Sequence, residues 1–144
     1  MSDLRTLLTD GVRPGVYRWQ SDHTPDQVRR DVAAAGWDFV LLDTSDVQDK
    51  AGFLDLCATA FDLPRWFGRN WDALADSLSD HSTGAPEIVL WEGLHHLLEH
   101  DHDTVDVALQ IFAEDITNSG QLRVLVREPS AAATPDLISS LPAL

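Results

Sequence analysis

Two bare apolar runs, residues 39–42 (Phe-Val-Leu-Leu) and 88–91 (Ile-Val-Leu-Trp), constrain the fold of this chain more than any other feature. A continuous apolar run without polar alternation is expected of a strand covered on both faces. The first run, closed by Asp43, is therefore expected at the centre of a sheet, and the second, introduced by Pro86, is a strand of the same kind. Residues 16–19, after Pro14-Gly15, and residues 122–126 are two further β-prone stretches.

Helical patterns separate these strands. Residues 25–35 place Val28, Val32 and Ala35 on one side and stop at Gly36. Residues 50–61 set Phe53, Leu54, Cys57, Ala60 and Phe61 on one face. Asn70 is a good N-cap for a helix from Trp71 to about Asp80. A short helical piece around residues 94–98 precedes a longer helix that Thr104 is expected to cap. There Val105, Ala108, Leu109, Phe112, Ala113 and Ile116 form the i, i+3, i+4, i+7 stripe, and Gly120 ends it. Strands and helices in alternation predict an α/β fold: a small parallel β-sheet of four strands packed by crossover helices. With no internal repeat and no evident linker, residues 1–128 are expected to form a single domain, and residues 129–144, with three prolines, a C-terminal tail.

Charge narrows the function classes. The chain has 144 residues, 44% of them apolar, enough for a core, and a formal charge of −14. That balance argues against nucleic acid or an anionic membrane as partner. Between Trp71 and Leu122 there is no Lys or Arg, while 11 acids fall there. A field of one sign confined to one stretch calls for a cation or a basic partner. It also makes a monomer the expectation, because such surfaces repel copies of themselves. Cys57 is alone, and residues 1–11 contain no apolar run of signal length, so a cytoplasmic, soluble protein is expected.

Within the acidic stretch, Asp72 and Asp76 lie about 40° apart on one helix face, one turn from each other, and Asp80 continues the row. Like charges at i, i+4 cost a few tenths of a kcal/mol. The helix dipole favours Asp72 and disfavours Asp80, so local stability does not explain the row. A solvated helix face is the plainest reading. A carboxylate pair can also hold Mg²⁺ or share a proton, and a rigid acidic prong can enter a basic cleft, with Trp66 and Phe67 as apolar anchors beside it. The chain has no Gly-rich phosphate loop, zinc-type Cys/His spacing or nucleophile elbow. His95, His96, His100 and His102 cluster near Glu99 and Asp101, and are expected to form a solvated polar turn rather than a metal site. Trp19, Trp37, Trp71 and Trp91 are expected in or beside the core.

Residues 63–76 read Leu-Pro-Arg-Trp-Phe-Gly-Arg-Asn-Trp-Asp-Ala-Leu-Ala-Asp. This segment resembles the signature of the barstar family, intracellular inhibitors of barnase-like ribonucleases, and the order of elements over residues 38–127 is similar as well. Residues 12–36, a further strand and helix, lie outside the resemblance. It implies a barstar-like fold, three family strands plus the N-terminal one, with no enzymatic activity, no cofactor and no metal. It further implies that the helix after the signature loop plugs a ribonuclease active site.

Carried over by position, Asp76 is the acid at the substrate phosphate site and Asp72 its companion. Trp66 is an aromatic that contacts the enzyme, and Glu114 is a peripheral acidic contact. Asp80 and Phe67 flank these groups, and Gly68 and Asn70 shape the loop and cap the helix. Ala75 stands where barstar has a large aromatic, and Asp80 where it has a small residue, which implies a different partner pocket. Ser77 and Gln121 stand in place of barstar's paired cysteines.

The leading expectation is thus an inhibitor of a basic, barnase-like ribonuclease that acts by phosphate mimicry. A binding or immunity module for another basic toxin is the alternative. A metal-dependent hydrolase built on Asp72, Asp76 and the histidines at 95–102 is the third.

Overall fold

The computed structural model describes residues 8, 11–21, 23–63, 68–80, 86–127 and 141–142. In chain order these form β1 (Gly15–Trp19), α1 (Pro25–Ala34), β2 (Asp38–Asp43), α2 (Lys50–Ala60), α3 (Trp71–Asp80), β3 (Glu87–Glu92), α4 (Leu94–His100), α5 (His102–Ser119) and β4 (Leu122–Arg127). All four strands are parallel, in the order β1-β4-β3-β2. The fold class is the α/β parallel sheet that the alternation predicts.

The strand order decides where the helices go. From β1 to β2 the chain crosses the whole sheet, and from β2 through β3 to β4 it steps back one strand at a time. Right-handed crossovers that travel in opposite directions must lie on opposite faces. Accordingly α1 covers one face, where Val28 and Val32 pack on Ile88, Leu90, Leu125 and Trp19. Helices α2 to α5 cover the other, where Phe53, Cys57, Leu74, Leu97 and Phe112 pack on Val40, Leu42, Val89, Trp91 and Val124.

The apolar run at residues 39–42 is not at the sheet centre: among the described strands β2 lies at the edge, paired with β3 alone. Val40 and Leu42 are buried while Phe39 and Leu41 are half-buried, so both faces are covered, one by each helical layer. Coverage of the faces is what the apolar run records. It is independent of how many strands lie alongside. β3, buried from Glu87 to Trp91, holds a central place.

Trp91 organises the larger core. Its ring stacks on Phe53 at 5.5 Å and meets Phe112 edge-on at 5.8 Å, and its indole N–H donates to Thr44 Oγ1 at 2.9 Å. The Thr44 hydroxyl in turn donates to the carbonyl of Gly93 at 2.9 Å, which closes a buried polar chain between the ends of β2 and β3.

The long helix begins three residues earlier than the Thr104 cap implies. Asp101 is the N-cap of α5, and its carboxylate accepts from Thr104 N at 3.2 Å and from Thr104 Oγ1 at 2.7 Å. Thr104 spends its hydroxyl on the carboxylate, a charged and stronger acceptor. Nor do the histidines form a turn: His95, His96 and His100 belong to α4 and His102 opens α5, with Asp101 alone between the helices.

Outside the helical layers, the amide of Arg18 in β1 donates to the carbonyl of Pro142 at 2.9 Å, and Leu141 packs against the larger core.

Cys57 is fully buried on α2, and burial pushes its thiol pKa well above the ordinary range. A raised folded pKa means that the folded chain stays protonated where the unfolded chain ionises. The stabilisation is complete below about pH 8.5 and is lost as pH rises, by about 1 kcal/mol between pH 8.5 and 9.5. Chemical denaturation across this range is expected to show that slope, and Cys57→Ala is expected to remove it. Native protein at pH 8 is expected to resist thiol alkylation that goes to completion in denaturant.

Candidate functional site: the acidic face of α3

The approach to α3 is built from backbone that ordinary residues rarely adopt. Helix α2 ends at Ala60 with Phe61 as its C-cap, and Asp62 then takes a left-handed conformation with φ of 52°. Pro64, Arg65, Trp66 and Phe67 lie outside the described residues, and with them the two aromatic anchors singled out in the sequence. At the far side of that segment the left-handed residue is Arg69, φ 47°, and not Gly68. What Gly68 supplies is room, because a Cβ there would sit 3.1 Å from Asn70 Nδ2.

Asn70 closes the start of the helix. Its side-chain oxygen accepts from the Ala73 amide at 2.8 Å, and its carbonyl accepts the first helical bond, from Leu74 N, at 3.0 Å. Leu74 and Leu78 anchor the inner side of α3 in the larger core, at 0% and 3% exposure. Trp71 is half-buried against Phe53 at 5.9 Å, with the ammonium of Lys50 5.6 Å above its ring. Ala75 is half-buried.

The outer side carries the acids. Asp72 and Asp76 are both exposed, on consecutive turns. Among the described residues neither has an ion-pair partner. Asp80 closes α3, and its side chain lies outside what is described. Two unpaired carboxylates about 6 Å apart along a helix axis, on a face whose back is locked into the core, form a rigid dianion. Such a group presents negative charge with little ordering cost on binding.

Glu114 is exposed on α5, beside a shallow depression lined by Ala113, Thr117 and Asn118. Among the described residues one group of three side chains could hold a metal ion: His102, Asp103 and Asp106, at the start of α5, with His102 Nδ1 3.4 Å from Asp106 Oδ2. Neither Asp72 nor Asp76 belongs to it, so the described residues do not assemble the combined carboxylate and histidine centre that a hydrolase would require.

One feature beside the acidic face has no signal in the sequence. Arg69 Nε donates to Asp55 Oδ1 of α2 across fourteen residues of chain. Only the packing of α2 beside the loop brings the two together.

None of the helices among the described residues is long and apolar enough to cross a membrane. Residues 37–127 match the family model described as Barstar (barnase inhibitor). No curated protein matches the chain significantly.

Proposed function

The chain belongs to the barstar family, whose members inhibit barnase-like ribonucleases, and on that premise we propose that it inhibits a basic ribonuclease by inserting the acidic face of α3 into the active site. The observation that carries this reading is the exposed Asp72–Asp76 dianion, unpaired among the described residues, on a helix held from behind by Leu74 and Leu78. A ribonuclease cleft of this class presents cations to substrate phosphates. Asp76 takes the phosphate position, Asp72 pairs one turn earlier, and the body of α3 excludes RNA. Glu114 adds a contact at the rim.

The charge of the rest of the acidic stretch acts at longer range. A field of one sign raises the association rate and is screened by salt, whereas the desolvated pairs set the dissociation rate. The protein itself needs neither metal nor cofactor for this role, and catalyses nothing in it. The inhibitor works as a monomer, in the compartment where the ribonuclease must be kept inactive, which for this family is the cell interior.

A second reading draws on Ala75. Its small side chain, where barstar carries a large aromatic, opens space beside Asp76. The same face therefore also suits a toxin with another cationic phosphate-binding cleft.

Titrating the chain into a purified basic barnase-like ribonuclease that is cleaving RNA is expected to give a stoichiometric endpoint at one to one. The association rate is expected to fall steeply with ionic strength. Undiminished RNA cleavage at a large excess of the chain overturns the ribonuclease reading, and one-to-one inhibition of a purified basic toxin that is not a ribonuclease, in a parallel titration, favours the second.

A further inference from the structure

The loop that launches α3 carries a cation to the edge of an acidic face. We propose that Asp55 is a positioning residue that neutralises Arg69, so that Asp72 and Asp76 meet a basic partner without a competing positive charge. This inference rests on the inhibitory reading of α3.

Arg69 is held left-handed, with φ of 47°, and its guanidinium Nε donates to Asp55 Oδ1 on α2. The side chains are 59% and 62% exposed. An ion pair so open to water stabilises a fold by roughly 0–1 kcal/mol, so folding does not account for a non-glycine residue kept in this conformation. Its location does. Arg69 stands just before the Asn70 cap, three residues from Asp72 and seven from Asp76, a separation on the order of the Debye length of about 8–10 Å near physiological salt. It also stands at the positive end of the α3 dipole. Unpaired, it would repel the cations that the dianion must attract. Helix α2 thus serves the acidic face twice, packing Phe53 on Trp71 from below and setting the Asp55 carboxylate against the Arg69 charge at its rim.

The test is stopped-flow association of full-length variants with a purified basic barnase-like ribonuclease. Asp55→Asn is expected to slow association about three- to tenfold in roughly 20 mM salt and to leave it unchanged near 1 M, where the Debye length is about 3 Å. Melting temperatures are expected to match the parent. Adding Arg69→Gln to Asp55→Asn is expected to restore the parental rate. Asp26→Asn breaks an exposed pair of the same kind, with Arg29 on α1, on the opposite side of the sheet, and is expected to change the rate less than about twofold.

A parental rate for Asp55→Asn, or failure of Arg69→Gln to restore it, overturns the proposal. Asp76→Ala in the same assay separates the two levels. If it leaves inhibition intact, the inhibitory reading of α3 fails. If it abolishes inhibition while Asp55→Asn is silent, only the role of Asp55 fails.

Discussion

Asp76→Ala is expected to weaken binding to the ribonuclease by about 2–5 kcal/mol, roughly 30- to 4,000-fold, most of it in the dissociation rate. The magnitude follows from what the truncation leaves behind. In the proposed complex the Asp76 carboxylate would be desolvated among cations, and removing it would strand those cations in a closed interface without a partner. Asp72→Ala is expected to cost less, because Asp72 stands one turn earlier, towards the edge of the contact. In the free protein both carboxylates are exposed and unpaired among the described residues, so neither substitution removes a folded-state contact. Loss of Asp76 relieves a like-charge pair worth a few tenths of a kcal/mol. Binding measured by calorimetry or inhibition, alongside denaturation midpoints, separates these effects. Equal and small losses of affinity for both variants sink the plug model.

Gly93→Ala is expected to act on folding alone, and strongly. Gly93 joins β3 to α4 in a left-handed conformation with φ of 70°. A Cβ there would lie 2.4 Å from Ser45 Oγ, 2.5 Å from Ser45 N and 2.8 Å from Ser45 Cα. The hydroxyl can rotate away, but the Ser45 backbone cannot. Asp43 Oδ1 accepts from both the amide and the hydroxyl of Ser45, at 3.0 and 2.6 Å, and neighbouring Thr44 is bonded to the Gly93 carbonyl. Left-handed strain of about 1–2 kcal/mol and overpacking of about 1–3 kcal/mol together predict a loss of about 2–5 kcal/mol, on the order of 10 °C in midpoint.

Gly120→Ala supplies the comparison. Its φ is 69°, nearly the same, but among the described residues a Cβ there meets only the Ile116 carbonyl oxygen, at 3.9 Å. It is expected to show the conformational cost without the clash. Similar losses at the two positions would refute the packing argument for Gly93.

The acidic face of α3 is legible in the sequence because each part of it is local. Asn70 caps within three residues, Leu74 and Leu78 recur at helical spacing, and Asp72 and Asp76 fall on the opposite side by the same geometry. The start of α5 shows the limit of such local rules. Asp101 and Thr104 are both acceptable caps by residue type, and the carboxylate of one bonding the amide and hydroxyl of the other decided between them. The contributions of Trp66 and Phe67 rest on the sequence alone, on their apolar chemistry beside the acids and on the family signature.

By itself, then, the sequence determined which segments are strands and helices, which side of each is buried, and where the unopposed negative charge accumulates. All three follow from periodicity and residue chemistry along a few turns of chain. The tertiary structure decided what those segments lie against. It set β2 at an edge in spite of its apolar run, placed Ser45 against Gly93, gave the Trp91 indole its partner in Thr44, and brought Asp55 to Arg69. Periodicity records that a face is covered, whereas the identity of the covering group depends on crossovers that join residues far apart in the chain.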